Sequence, residues 1–256
     1  MHRSKIEWVL NPDNKTLGWV WNPITGCLNG CEYCYARKLA NGRLKKSYLA
    51  NENVSKVKIC GSGELDKSEL DKSLTDPFYP RFWEERLEDL IVHPKKRKGI
   101  FVCDMGELFG DWLPREWQDK IFRVIRAHPQ HRFYLLTKQP QNLIKFSPFP
   151  YHCYVGVTAT NQEQYLAATR WKGLDGVKAS VKYISFEPLL ESIQPSEYRL
   201  KSVNWVIIGA QTKPYKPPKI EWVEEIEEAA RKAGVVIFEK DNLRPLLNRD
   251  LIQKLP

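Results

Sequence analysis

The stretch of the chain that is most informative about its chemistry is Trp21-Asn22-Pro23-Ile24-Thr25-Gly26-Cys27-Leu28-Asn29-Gly30-Cys31-Glu32-Tyr33-Cys34-Tyr35-Ala36. Its cysteines follow a C-x3-C-x2-C spacing, and an aromatic residue precedes the last of them. Three thiolates on one tight loop can bind three irons of a cubane cluster and leave the fourth iron open to another ligand. The stretch therefore predicts a [4Fe–4S] site with Cys27, Cys31 and Cys34 as its ligands.

Other interpretations of the cysteines stay open. A structural zinc site needs four protein ligands, and this spacing is not usual for a zinc knuckle. The clustering could also be accidental. Gly26 and Gly30 would let the backbone wrap closely around a cluster. The remaining cysteines differ, because Cys103 and Cys153 fall within apolar runs and are expected in the core. Cys60 lies in an irregular segment and is given no role.

Seven short apolar runs recur along the chain. Such near-continuous runs are typical of strands buried on both faces of a parallel sheet. They cover residues 17–21, 100–103, 133–136, 153–157, 183–186, 205–208 and 235–238. Helical patterns lie between several of them, over residues 117–125, 161–170 and 222–230, and Gly234 stands where a C-terminal cap is expected.

This alternation of strands and helices predicts an α/β fold with right-handed crossovers. Seven strands fit a partial (β/α)6–7 TIM-like barrel. We expect one domain over residues 1–256, with an irregular insertion around residues 42–98 that is charged and interrupted by prolines.

Polar residues follow the predicted strands. In barrel-like α/β folds chemistry takes place at the carboxyl ends of the strands, so these residues predict a polar pocket. Alternatively, these residues could be polar only because loops are polar in most proteins. The residues are Asp104, Glu107, Thr137, Lys138, Thr158, Thr160, Asn161, Glu187, Gln211, Lys240 and Asp241.

The net charge and the length of the apolar runs indicate which partners and which compartment to expect. The 256 residues carry a formal net charge of +9, which favours a polyanionic partner such as nucleic acid. Basic runs at residues 43–46 and 93–98 could contact phosphates, or could simply be solvated surfaces, which we favour. No apolar run approaches the ~20 residues of a membrane span, and the N-terminus lacks the apolar segment of a signal peptide. We expect a cytoplasmic protein with reduced cysteines and no membrane partner.

The cysteine loop, including the aromatic Tyr33, resembles the signature of the radical SAM superfamily. The resemblance implies that the open iron chelates S-adenosylmethionine and that one electron from the cluster cleaves it. The 5′-deoxyadenosyl radical so formed would abstract hydrogen from a substrate, with no catalytic residue needed beyond the cluster and bound S-adenosylmethionine. It further implies a barrel of the radical SAM type and an electron donor such as flavodoxin or ferredoxin.

A narrower resemblance covers most of the chain. Several segments occur in the same order as in a phage-associated, radical SAM-like family whose members are similar to spore photoproduct lyase and include queuine lyase. They are residues 21–27, Asp104-Met105-Gly106-Glu107-Leu108-Phe109, Leu136-Thr137-Lys138-Gln139-Pro140, residues 155–158, Ser185-Phe186-Glu187-Pro188-Leu189 and residues 205–210. The chain departs from that family at Gln211, because Gly209-Ala210-Gln211-Thr212-Lys213-Pro214 stands where the family has Gly-Gly-Glu-Ser-Gly-Pro.

The resemblance also implies roles in binding S-adenosylmethionine. Tyr33 would lie near the adenine, or pack beneath the cluster. Gly106 and Glu107 would meet the methionyl ammonium, although Glu107 could instead be a helix N-terminal acid. Lys138 would hold the methionyl carboxylate or an anionic substrate.

Three further residues, at the end of the fourth predicted strand, would meet the ribose hydroxyls. They are Thr158, Thr160 and Asn161. The alternative is helix capping, which Thr and Asn both favour.

Substrate contacts are predicted at the remaining polar positions. Glu187 is the foremost, because an ionised side chain buried there needs a partner or a ligand. A salt bridge between Lys138 and Glu187 is the structural alternative. Trp21 and Asn22 are expected at the mouth of the cavity. The other predicted substrate residues are Asp104, Gln211 and Lys240.

Three functions follow as hypotheses. The first is a radical SAM lyase acting on a modified nucleoside or nucleobase, in its sharpest form a queuosine lyase that releases queuine for salvage. The second is a DNA photoproduct lyase-type repair enzyme, which predicts a basic groove and a cysteine hydrogen donor near the cavity. The third is a non-catalytic, metal-containing protein that binds nucleic acid.

Overall fold

The computed structural model describes residues 1–55, 67–90 and 96–256, and Cys60 and the first three residues of the basic run at 93–98 lie outside the described residues. The described strands are mostly short. In chain order they are β1 (His2–Arg3), β2 (Trp19–Trp21), β3 (Ile24–Thr25), β4 (Arg81–Phe82), β5 (Gly99–Val102), β6 (Arg132–Thr137), β7 (Cys153–Thr158), β8 (Val181–Phe186), β9 (Trp205–Ile208), β10 (Gln211–Thr212), β11 (Tyr215–Lys216) and β12 (Val236–Glu239).

The helices lie mainly between the strands. The α-helices are α1 (Tyr35–Asn41), α2 (Lys45–Leu49), α3 (Lys67–Thr75), α4 (Arg115–Ala127), α5 (Gln162–Ala168), α6 (Glu197–Leu200) and α7 (Ile220–Ala233). Short 3₁₀ helices cover Glu84–Leu90, Pro140–Phe146 and Asp241–Leu243. The predicted capping is confirmed at Gly234, which has φ 70° and ends α7, since glycine adopts the left-handed conformation without steric cost.

The main sheet has eight strands in the order β1-β2-β5-β6-β7-β8-β9-β12. All pairs from β2 to β12 are parallel, whereas β1 pairs antiparallel with β2. All seven predicted strands are therefore confirmed, with ends shifted by at most two residues, and the protein has the predicted α/β class. The sequence did not predict β1, because His2–Arg3 is a two-residue polar strand.

The sheet curves around one side chain, Trp8. Its ring lies 5.4 Å from that of Phe101 on β5 and 5.7 Å from that of Trp205 on β9. In a flat sheet, strands this many places apart would be separated by about 19 Å, at ~4.8 Å per strand. Edge contacts to Tyr134 and Tyr183 complete the packing. The concave face is thus filled at its centre by a residue of the N-terminal segment.

The opposite face of the sheet carries the larger core. Alternate side chains of the strands, such as Val155 and Val157 of β7, lie there in one core with side chains of helices α4 and α7. Cys153 lies in this core, as predicted, and is fully buried. The alternation of strand side chains leaves the other set on the concave face.

The structure corrects two assignments made from sequence. Cys103 is not within a strand: β5 ends at Val102, and Cys103 follows with φ 61°. Lys98, the last residue of a basic run, is not on a solvated surface but is 5% exposed, with its ammonium 5.1 Å from the ring of Trp19. Lys96 and Arg97 of the same run are exposed, as expected of a solvated surface. The run at residues 43–46 is largely exposed, as expected of a solvated surface.

Candidate functional site

A cavity of about 310 Å³ opens at the carboxyl end of the parallel strands. Its size is at the lower end of the ~300–1,000 Å³ typical of ligand pockets. Most of the residues singled out from sequence line it. Those residues are Cys27, Cys31, Tyr33, Cys34, Asp104, Gly106, Glu107, Thr137, Lys138, Thr158, Glu187, Gln211 and Lys240.

The cysteine loop is held against the end of β5 by backbone contacts. The Gly26 N–H donates to the Met105 carbonyl at 2.8 Å, and the Cys27 N–H donates to the Phe78 carbonyl at 3.0 Å. Gly26 has φ 88°, and a Cβ there would lie 2.4 Å from the Tyr79 carbonyl oxygen. Only glycine satisfies both requirements, so Gly26 is what allows the close wrapping expected of this loop.

The three thiols of the loop are free and half-buried, and all line the cavity. The Cys27 Sγ accepts the Asn29 N–H at 3.3 Å, and the Cys34 Sγ accepts the Arg37 N–H at 3.4 Å at the start of α1. Burial, with Glu107 adding to it, raises the pKa of Cys27 to about 12. Among the described residues, no three His, Cys, Asp or Glu side chains are arranged so that they could hold a metal ion.

Glu107 is a buried carboxylate at the centre of a hydrogen-bond network. Its Oε1 accepts from the Thr137 hydroxyl at 2.6 Å and from the Phe109 N–H at 3.0 Å. Its Oε2 accepts from the Lys138 N–H at 3.0 Å and from the Asn29 amide at 3.3 Å. Glu107 therefore joins the loops after β5 and β6 to the cysteine loop, a role that its position after a strand did not reveal.

Tyr33 lies beside Lys138 and Thr160. The Lys138 ammonium is 5.8 Å from the Tyr33 ring, and burial raises the pKa of the tyrosine. Its hydroxyl is buried near Thr160 and Cys31, but makes no hydrogen bond of good geometry with the described residues. A buried hydroxyl without a partner is costly, so this group is available to a ligand.

The three residues predicted to meet ribose hydroxyls have different environments in the structure. Thr158 is buried and lines the cavity. Thr160 bonds to Gln164 through both its N–H, at 2.8 Å, and its hydroxyl, at 3.0 Å. Asn161 accepts the Gln164 N–H at 2.9 Å and caps α5, so for this residue the helix-capping alternative is confirmed.

Asp104 is fixed by neighbours from two other segments. Its Oδ1 accepts from the Asn22 amide at 2.7 Å, and its backbone carbonyl accepts from the Tyr35 hydroxyl at 2.9 Å. Burial raises the pKa of Asp104. Asn22 is thus a support of the cavity wall rather than part of its mouth. Trp21 does not line the cavity: it is fully buried in the larger core, and its indole donates to the Arg86 carbonyl at 2.7 Å.

An ion pair between Glu187 and Lys240 forms another part of the wall. The Lys138–Glu187 salt bridge considered from sequence is not the pair that forms. Although burial alone would lower the pKa of Lys240, the carboxylates of Glu187 and Glu7 raise it. Burial raises the pKa of Glu7 itself.

The hairpin of β10 and β11 borders the cavity through Gln211 and Lys213. The Lys38 ammonium of α1 donates to the Lys213 carbonyl at 3.0 Å, which joins the hairpin to the helix that follows the cysteines. The Gln211 side chain donates to the Pro214 carbonyl at 3.1 Å within the hairpin.

Sequence reasoning missed several residues of the cavity. Ile6 and Trp8 come from the N-terminal segment, which had no strand-like pattern, and Ser185 is an interior position of β8. Asn29 and Tyr35 lie inside the quoted cysteine stretch but carried no separate signal. Counting alternate positions back from the predicted strand ends could have found Ser185, two residues before Glu187.

A model of a protein family of unknown function, DUF5131, matches residues 3–242. The chain belongs to the DUF5131 family. The match spans the cysteine loop and every strand of the parallel sheet, so the cavity lies within the region that defines the family. No curated protein and no solved structure matches the chain. Within the described residues, no helix is long and apolar enough to cross a membrane.

Proposed function

We propose that this protein is a radical SAM enzyme that acts on a modified nucleoside or nucleobase. One observation carries the proposal: the three thiols of the C-x3-C-x2-C loop line the same cavity as the polar residues at the strand ends. The curvature of the sheet around Trp8 supports a partial barrel of the kind that the resemblance implies. The sharpest form of the proposal is a queuosine lyase that releases queuine.

The three thiols do not converge on a single metal ion, but a cubane takes one thiolate on each of three irons, so the chemistry of the donor set fits the proposed cluster. Cys27, Cys31 and Cys34 would ligate a [4Fe–4S] cluster, and N–H groups already point at two of the sulfurs. The unpartnered Tyr33 hydroxyl and the side chain of Thr158 would face bound S-adenosylmethionine. When bound, the cluster and S-adenosylmethionine supply reductive cleavage and a radical that abstracts hydrogen.

The chain's own residues would position these groups and keep water out. Glu107 holds the cysteine loop in place, while Tyr35 and Asn22 fix Asp104 on the wall. Four hydrogen bonds occupy the Glu107 carboxylate, so its contribution to binding methionine is positional. Lys138, whose side chain lies over Tyr33, remains the group that would hold a carboxylate.

Anaerobic reconstitution with iron and sulfide tests the proposal. The reduced protein is given S-adenosylmethionine, and 5′-deoxyadenosine is measured with and without queuosine. Formation that queuosine stimulates, with release of free queuine, is the expected result. Formation that queuosine does not change overturns the queuosine substrate, and a protein that binds zinc and forms no 5′-deoxyadenosine overturns the enzyme class. Cys31→Ala should abolish the product, and Cys153→Ala, a change on the far face of β7, should retain it.

One finding favours a second candidate, a photoproduct lyase-type repair enzyme. That chemistry requires a cysteine hydrogen donor near the cavity, and Cys103 is 5% exposed and lines it. Such a thiol would donate one hydrogen atom to a substrate radical and become a thiyl radical. DNA containing a spore photoproduct is therefore the second substrate to assay. Repair that is lost in Cys103→Ala, with 5′-deoxyadenosine still formed, would favour this candidate over the first.

A further inference from the structure

The Glu187–Lys240 pair is packed across the end of β9. A Cβ at Gly209 would lie 2.9 Å from Cδ of Lys240 and 3.2 Å from Cγ of Glu187, so a larger residue there would displace both side chains. The side chains are 11% (Lys240) and 23% (Glu187) exposed. The pair is thus held in place by packing, at a wall of the cavity, and is partly shielded from bulk water.

The pair has unused hydrogen-bonding capacity. An ammonium has three donors, and a carboxylate has about four acceptor sites. Within the described part of the chain, these two side chains make no hydrogen bond other than the one from Lys240 Nζ to Glu187 Oε1. Two adjacent acceptors and a neighbouring donor are therefore presented along one wall.

A second observation at the same cavity points to a ligand. Trp8 is 2% exposed, lines the cavity, and has no hydrogen-bond partner for its indole N–H among the described residues. A buried donor left without an acceptor is destabilising. An acceptor atom on a bound molecule would remove that cost.

We infer, building on the proposed function, that Glu187 and Lys240 bind the base of the nucleoside substrate along an edge of the guanine type. The carboxylate accepts two adjacent N–H donors, and the ammonium donates to the carbonyl oxygen beside them. Guanine and 7-deazaguanine present this order of two donors and an acceptor. Adenine offers one amino group next to a ring nitrogen, so one carboxylate oxygen would face a lone pair.

Binding of simple nucleosides tests this assignment. Calorimetric titration of the reconstituted protein, loaded with S-adenosylmethionine and not reduced, compares guanosine, inosine and adenosine. Inosine lacks only the 2-amino group, so wild-type protein should bind it about 10- to 100-fold more weakly than guanosine, the range for one hydrogen bond to a charged acceptor. Glu187→Gln should reduce that ratio to about 1-fold. Equal affinity for guanosine and inosine, or no affinity for any of the three, overturns the inference.

Two further variants keep the result interpretable. Glu187→Gln removes the carboxylate paired with Lys240 and leaves Glu7 as a neighbouring negative charge. The double variant Glu187→Gln/Lys240→Met removes both charges of the pair and should also lose the preference for guanosine. Glu228→Gln, on the exposed surface of α7, should retain it. Melting temperatures identify any variant that fails to fold.

A parallel assay separates this inference from the proposed function. Cleavage of S-adenosylmethionine without any preference for guanosine would overturn the base-binding site and leave the enzyme class standing. A preference that disappears in Glu187→Gln, in a protein that never cleaves S-adenosylmethionine, would support the site and overturn the class.

Discussion

The side-chain amide of Asn29 donates a hydrogen bond to Oε2 of Glu107, over 3.3 Å. Asn29 lies between the first two cysteines, and Glu107 follows β5. The Asn29 carbonyl oxygen in turn accepts from the Gln139 amide at 2.5 Å, beyond the end of β6. The loop that carries the thiols is therefore positioned by the ends of two strands of the sheet.

Glu107→Gln should loosen the cysteine loop. An amide replaces one acceptor oxygen by a donor, which then faces another N–H or hydroxyl in this buried network. Hydrogen bonds to charged groups contribute about 1.5–3 kcal/mol each, so the free energy of unfolding should fall by about 2–4 kcal/mol. Iron bound per chain should fall as well. Glu116→Gln, at an exposed position of α4, is the control; unchanged iron content and stability in Glu107→Gln would contradict this role.

Gly26→Ala and Gly30→Ala form a matched pair. Both glycines have positive φ, 88° and 70°, but a Cβ at Gly30 meets nothing within 4 Å. Alanine at Gly30 should therefore cost only the left-handed conformation, about 1–2 kcal/mol. Alanine at Gly26 must also push the loop away from Tyr79 and should abolish iron binding. Thermal unfolding and iron analysis measure both effects, and equal behaviour of the two variants would be the contrary result.

Trp8→Ala should be among the most destabilising substitutions. The ring fills the concave face and contacts four aromatic side chains, so its removal leaves a large hole. Such truncations cost about 3–5 kcal/mol. Trp171→Ala removes a side chain that is 72% exposed and should change stability by no more than about 0.5 kcal/mol. Denaturant titration of the two variants checks the contrast.

Arg249→Met should expose a repulsive pair of carboxylates. Arg249 bonds to both Glu227 and Glu239, whose side chains are 2% and 0% exposed. Removing one partner of a buried ion pair costs about 3–5 kcal/mol. The loss of unfolding free energy in Arg249→Met should become smaller as pH falls from 8 to 5, because protonation neutralises the unpaired carboxylates. Arg231→Met removes the more exposed cation that pairs with Glu227 and should lower the free energy of unfolding by less than about 1 kcal/mol. If the loss in Arg249→Met did not change with pH, the explanation would be contradicted.

His131 should make the protein acid-sensitive. Burial lowers its pKa from 6.5 to about 4, so below pH 6.5 the unfolded chain binds a proton that the folded protein excludes. Stability should therefore be lost as pH falls from 6.5 to 4, by at most about 3 kcal/mol at ~1.4 kcal/mol per pKa unit. His131→Gln should flatten this part of the pH profile, whereas the exposed His2→Gln should not. Urea unfolding at several pH values measures the slope.

The strands could be predicted from sequence because each parallel strand is a continuous apolar run. Burial on both faces requires apolar side chains at most positions of such a strand, here three to six consecutive residues, so all seven were found. β10 and β11 are polar, two residues long, and held by each other, and nothing local marks them. The assignment of Cys103 to a strand was wrong, although its predicted place in the core is confirmed. Its left-handed backbone goes with a hydrogen bond from the Cys103 N–H to the Trp21 carbonyl, a contact between segments distant in sequence.

By itself, the sequence determined the thiol spacing, the strand–helix order and the polar strand ends, since these depend on neighbours within a few residues. The tertiary structure decided the rest: that Glu187 pairs with Lys240, that Glu107 holds Asn29, and that Trp8 fills the curve of the sheet. Each of these pairings joins residues far apart in the chain. Long-range partners are selected by the packing of the whole fold, which offers several charged or apolar candidates for every position, and no local pattern distinguishes among them.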